Sequence, residues 1–125
     1  MGMKYKIKNF LLEIYWYVRR KLFPPALPKN ADGKVYINLG SAEKTGPEFI
    51  NIDMRVLPSV HYITDVTELN MFPDSSVDMI YACHLVEHIP RSRLIDTMKE
   101  WRRALKPGGV FRFAVPDFDA LVEMY

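Results

Sequence analysis

Hydrophobic positions follow two different periods along this chain. Near the N-terminus Ile7, Leu11, Ile14, Val18 and Leu22 recur at intervals of four, three, four and four, widened by Phe10, Tyr15 and Trp16, with Lys6, Asn9, Glu13 and Arg20 opposite. This spacing predicts an amphipathic helix over residues 5–22. Pro24, Pro25 and Pro28 end it and form a stiff connection to a turn at Asn30-Ala31-Asp32-Gly33. From Lys34 onward short apolar runs take over: 35–39, 49–52, 61–64, 77–82 and 110–115, stopped in turn by Gly40, Asp53, Asp65, Cys83 and Pro116. Between the last two, Leu94, Met98, Trp101 and Leu105 return to helical spacing over 91–105, closed by Lys106-Pro107-Gly108-Gly109, and Phe118 to Tyr125 begin another helix. Near-continuous apolar strands joined by helices predict an α/β domain built on a parallel sheet.

Composition narrows this picture. With 125 residues, 49% hydrophobic and 26% charged, the chain has room for one compact core and is neither disordered nor multi-domain. The single cysteine, Cys83, cannot form an internal disulfide and points to a reducing, cytoplasmic setting. The net charge of +2 is unevenly spread: residues 1–30 hold seven Lys or Arg against Glu13 alone, and residues 31–125 hold ten basic against fourteen acidic groups. A mildly acidic body argues against nucleic acid as a partner. The boundary therefore falls at residue 30, with a basic amphipathic leader and Pro-rich connector at 1–30 and the main domain at 31–125.

The leader's apolar stretch, Phe10 to Val18, contains Glu13 and is too short to cross a bilayer. It runs into Arg19-Arg20-Lys21 without a small-residue cleavage site, and Met1-Gly2 is followed by Lys6 where a myristoylation pattern needs Ser or Thr. Two roles remain for residues 5–22: covering a bare face of the sheet, or lying on an anionic membrane surface as a peripheral contact. The first is the expectation.

Parallel sheets place ligands beyond the carboxyl ends of their strands. There, Gly40 with the small Ser41 and Ala42 permits close backbone approach. Asp53 follows the second strand, where a carboxylate can accept two bonds from a ribose diol, and Asp65 follows the third, where it can accept from an exocyclic amine. A short glycine turn followed by acids closing two successive strands describes an adenosine site.

The succession Asn38-Leu39-Gly40-Ser41-Ala42, Phe49-Ile50-Asn51-Ile52-Asp53, Thr64-Asp65-Val66, FPDSSVDMIYACHLVEHI and EWRRALKPGGVFRFAVPD resembles the motifs of class I S-adenosylmethionine-dependent methyltransferases, the type 11 group in particular. The resemblance covers about 34–119 and implies a Rossmann-like sheet of order 3-2-1-4-5 with S-adenosyl-L-methionine as cofactor. It further implies that Gly40, Ser41 and Ala42 face the methionine and ribose portions, that Asp53, with Met54 beside it, holds the ribose, that Asp65 with Val66 reads adenine, and that Ala82, Cys83 and His84 line the floor beneath the sulfonium.

The chain departs from that family in three respects. Ala42 stands where the family usually has glycine. Only eight residues, 41–48, separate the first two strands and seven, 54–60, the next pair, too few for crossover helices of about a dozen residues. Part of the sheet is thus left uncovered, and the leader helix is its expected cover. The family adds two strands after the fifth, so this chain reads as truncated, with an open fifth strand able to pair with a partner or a second copy.

Methyl transfer to an oxygen needs a base. His84, Glu87 and His88 share one face if the segment after the fourth strand is helical, and His84 is the candidate catalytic base. The same residues spell H-x-x-E-H, a zinc-peptidase pattern, but downstream only Glu100 and Glu123 offer a further glutamate ligand. Glu87 and His88, with or without His84, remain as metal-ligand candidates, and no metal is expected. Arg91, Arg93, Arg102, Arg103 and Lys106 read as a solvated helix face. The function this implies is methyl transfer to a small-molecule or glycan-linked saccharide acceptor; the alternative is a non-catalytic nucleotide-binding or scaffold domain of the same fold.

Overall fold

The computed structural model describes residues 3–23, 25–43 and 46–124. Pro24, Tyr125 and the Met1-Gly2 start, each invoked above, lie outside the described residues. The elements in order are α1 (Met3–Leu22), β1 (Tyr36–Leu39), β2 (Phe49–Asp53), β3 (Tyr62–Ile63), β4 (Val77–Cys83), a 3-10 turn (Val86–His88), α2 (Arg91–Ala104), β5 (Leu105–Ala114) and α3 (Phe118–Glu123). All five strands are parallel in the order β3-β2-β1-β4-β5, with β1 central.

Strand pleat decides what each face carries. On one face Ile37 and Leu39 of β1 stand beside Ile50 and Ile52 of β2 and Ile80 and Ala82 of β4, all buried. Trp101 and Ala104 of α2, with Val66, Leu69 and Phe72 from the connection before β4, close over it. The Trp101 indole donates to the Val66 carbonyl at 2.8 Å and its ring lies 5.3 Å from Phe111 of β5. The opposite face is of another kind. It carries Tyr36, Phe49 and Tyr81, with ring centroids 5.9 and 6.2 Å apart, and buried Asn38 and Asn51, whose side chains bond at 3.4 Å. The strands therefore alternate apolar with aromatic or amide side chains, and are not apolar on both sides.

That alternation removes the need for a second apolar layer, and α1 does not supply one. None of its residues is buried, and the expected packing of 5–22 on the sheet is not what forms. Instead the Arg20 guanidinium donates to the carbonyls of Leu57 and His61, both at 2.9 Å, so α1 is held to the loop after β2. As the short spacings required, the β1–β2 and β2–β3 links contain no helix among the described residues.

Two further differences have local causes. β5 begins at Leu105, running through the Pro107-Gly108-Gly109 segment expected above to close the helix, because Leu105 already pairs with Val77; the register shifts before Val110 meets Met79. Among the charges of α2, Arg103 and Arg93 are staples and not a solvated face. Arg103 grips Glu100 through two bonds of 2.8 Å and also donates to Asp74 and to the Phe72 and Leu69 carbonyls. Arg93 reaches Thr67 and Asp65. β5, like β3, is an edge strand, with Val110 and Phe113 exposed.

His61 joins the connector to the sheet: its Nδ1 accepts from the Asn51 N–H at 2.9 Å. Burial, helped by Arg20, holds its imidazole below the ordinary value, against the pull of a hydrogen bond to the Ala26 carbonyl. The unfolded chain then takes up this proton more readily than the folded one, so the stabilisation is present above about pH 6.5 and is lost as pH falls through the lower folded value. Asp65, Asp78 and Glu100, also depressed, contribute losses only below their ordinary values of 3.8 to 4.5. Denaturant unfolding should therefore show lower stability at about pH 5.5 than at about pH 7.5, and His61→Asn, which keeps an acceptor for Asn51, should flatten the difference. An undiminished slope in the variant would assign it elsewhere.

Candidate functional site

A cleft of about 610 Å³ opens at the carboxyl ends of β1 and β4, where the order of the strands reverses. It is lined by Asn38, Gly40, Ser41, Ala42, Glu43, Arg55, Tyr81, Cys83 and His84. Asn38 and Tyr81 are register partners on the aromatic and amide face, so that face runs into the cleft.

The loop after β1 is shaped by its backbone. Gly40 has φ +62 and donates to the Ile52 carbonyl at 2.8 Å; a Cβ there would meet Leu85 at 3.0 Å, so both conformation and contact call for glycine. Ala42 also sits in the left-handed region, at φ 48, which costs a non-glycine residue about 1–2 kcal/mol. The Asp53 carboxylate offsets this cost by accepting from the Ala42 N–H at 2.8 Å. Its other oxygen accepts from the Arg55 N–H at 2.9 Å. Asp53, 8% exposed, thus stands directly behind the lining and fixes two of its residues. Ser41 is 3% exposed, and its hydroxyl is buried without a hydrogen-bond partner among the described residues. A polar atom left this way costs about 1–3 kcal/mol, and its place in the wall of a cleft suits a ligand that pairs with it.

Across the cleft the chain leaves β4 through His84, at φ 50, whose N–H donates to the Ala114 carbonyl at 2.9 Å. The ring is half exposed, with Nδ1 at 3.5 Å from a Glu87 oxygen. Because only Val86–His88 form a 3-10 turn, His84 lies outside it, and the shared helical face expected for His84, Glu87 and His88 does not form. Among the described residues no three His, Cys, Asp or Glu side chains gather as metal ligands would. The Tyr81 phenol, hydrogen-bonded to the Cys83 side chain, is held above its ordinary value chiefly by that bond.

Of the expected site residues, Asp53 lies behind the lining, Ala82 is buried in the apolar core and does not form the floor, and Met54, Asp65 and Val66 stand outside the cleft. Met54 is exposed and lies with Arg55, Val56, Leu57 and Pro58 against α1. Asp65 accepts from the Thr67 N–H and hydroxyl at 2.9 and 2.8 Å and faces Arg93 at 3.4 Å; these bonds, the backbone one foremost, hold its carboxyl below the usual range. Val66 is part of the core. Conversely, Asn38, Glu43, Arg55 and Tyr81 line the cleft and were not singled out from sequence. The signal for Asn38 and Tyr81 was their alternation with Ile37, Leu39, Ile80 and Ala82.

With this geometry in view, a family model described as a methyltransferase domain matches residues 40–113, more than half of the chain, from the loop after β1 to the end of β5. The chain belongs to that family. Solved structures similar to this methyltransferase domain include a SAM-dependent methyltransferase from Archaeoglobus fulgidus, with TM-score 0.53 and 19% identity over 79% of this chain and 50% of that one. Another is a DhpI–SAM–HEP complex, with TM-score 0.54 and 19% identity over 84% and 55%. The chain thus spans about half the length of these structures, which share its fold. No protein of curated function matches the sequence.

Proposed function

We propose that this methyltransferase domain binds S-adenosyl-L-methionine in the β1–β4 cleft and directs its methyl group to a nucleophilic oxygen of a small-molecule or glycan-linked acceptor. The observation that carries the reading is the buried, unpartnered Ser41 hydroxyl in the wall of that cleft, one residue beyond the positive-φ glycine. A donor and acceptor of this kind suits the amino and carboxylate groups of a methionine portion. When bound, the cofactor supplies a methyl group on an electron-poor sulfur, activated for in-line displacement.

The chain's own residues then bind, orient and take up a proton. Gly40 lets the backbone come close. Asp53 holds Ala42 and Arg55 in place and keeps lone pairs for a ribose diol. His84, half exposed at the cleft with Nδ1 3.5 Å from Glu87, is the side chain placed to accept a proton from an acceptor hydroxyl. Orientation supplies most of what such a displacement needs.

Isothermal titration of the full chain with S-adenosylhomocysteine tests the proposal, and binding in about the micromolar range is expected. Ser41→Ala sharpens the test, because its two effects have opposite signs. Removing an unsatisfied buried hydroxyl should stabilise the free protein by about 1 kcal/mol while weakening the titrated affinity by about five- to tenfold. A folded chain that binds no S-adenosylhomocysteine would leave the non-catalytic scaffold reading in its place.

A further inference from the structure

The polar side of α1, not its apolar stripe, faces the domain. Arg20 donates to the Leu57 and His61 carbonyls, and Asn9, Leu12, Glu13 and Trp16 line a depression with residues 54–58. Trp16 and Arg20 are the two positions of the helix that are half-buried. On the other side Ile7, Leu11, Ile14, Val18 and Leu22 are 44–66% exposed, and Tyr15 and Phe10 beside them are exposed as well. A helix packed for the benefit of its own domain would do the reverse. Here the sheet offers it no apolar face, since the second face carries Asn38, Asn51 and aromatic rings.

Charge identifies what the stripe meets. At 100° per residue Lys4, Lys8 and Arg19 flank the stripe on one side and Lys21 on the other, while Glu13, the helix's one acid, is on the domain side. Basic residues bordering an apolar band, with aromatics among them, match a surface that is negative outside and apolar beneath. No helix among the described residues is long and apolar enough to cross a membrane. We infer that α1 lies in the plane of an anionic lipid surface, its apolar stripe in the acyl boundary, its basic flanks at the headgroups and its polar side carrying the methyltransferase domain. Because Arg55 lines both the cleft and the depression beneath α1, the domain's cleft is set beside that surface.

Co-sedimentation of the full chain with vesicles tests this, comparing phosphatidylcholine alone with phosphatidylcholine containing about one-third phosphatidylglycerol. Most of the protein should pellet with the anionic vesicles and little with the neutral ones. Raising salt from about 0.1 M to about 1 M, which shortens the screening length from about 10 to about 3 Å, should lower binding about tenfold. The double variant Leu11→Glu with Ile14→Glu should abolish binding while thermal unfolding stays unchanged, because both side chains are exposed on the side away from Trp16 and Arg20. A folded chain that ignores anionic vesicles overturns the inference. So does equal, salt-insensitive binding to both vesicle types, or a stable dimer in sedimentation that the same double variant dissolves without any vesicle binding. S-adenosylhomocysteine titration of the same samples reads the cleft independently.

Discussion

Replacing Asp53 by Ala is expected to weaken S-adenosylhomocysteine binding by about 100-fold in calorimetric titration. Two contributions add in the same direction. A carboxylate accepting from a diol supplies charge-assisted hydrogen bonds of about 1.5–3 kcal/mol each, and about 2.8 kcal/mol corresponds to the stated factor. The same side chain holds the N–H groups of Ala42 and Arg55, so its loss also releases the left-handed turn at Ala42 and the start of the following loop. Asp53→Asn separates the two effects. Its amide keeps an oxygen for one backbone N–H but presents a donor to the other, so the loop is partly retained while the negative charge is gone. Affinity between that of the wild type and that of the alanine variant is expected. Unchanged affinity in the alanine variant would remove Asp53 from the binding reading.

The second large effect is on stability. Trp101→Ala should lower the unfolding free energy by about 3–5 kcal/mol, measured by denaturant titration followed by circular dichroism. The indole is 2% exposed, fills the space between α2 and the apolar face of the sheet, and supplies the hydrogen bond to the Val66 carbonyl. Truncation removes both the apolar contact and that bond, leaving a buried carbonyl without its partner. Domains of this size are stable by only about 5–15 kcal/mol, so the variant should be close to unfolding at moderate temperature. Trp101→Phe keeps most of the packing and should cost about 1–2 kcal/mol, chiefly for the lost N–H. A cost for the alanine variant below about 1 kcal/mol would show that α2 is not the cover of the core.

Much of this arrangement was legible in the residues themselves. Gly40 after an apolar run, Trp101 at helical spacing with Met98 and Leu105, and links between strands short enough to forbid crossover helices are local signals, and local signals survive folding. What was not legible depended on partners distant in sequence. Arg103 reads as a surface charge until Glu100, Asp74 and two loop carbonyls converge on it. Asn38 and Asn51 look like interruptions in apolar strands until the register pairs them across β1 and β2. The helical periodicity of α1 correctly gave a helix but not its orientation, because a stripe records which side is apolar and not what it meets. A face shared by His84, Glu87 and His88 depended on a helix directly after β4, which does not form. Pro90, two residues beyond the short 3-10 turn, limits how far that turn can run.

The order β3-β2-β1-β4-β5 has a consequence for how the molecule comes apart. β1, β2 and β3 are joined by short links and form one local unit, and β4, α2 and β5 form another. The two meet along the pairing of Tyr36–Leu39 with Met79–Ala82, whose partners lie 43 residues apart, so this is the strand pairing with the largest loop to close during folding. The cleft sits on that seam, with Ser41 and Ala42 from one unit and Cys83 and His84 from the other. A ligand that touches both therefore acts as a clasp: binding only the paired sheet, it stabilises the two halves together by mass action.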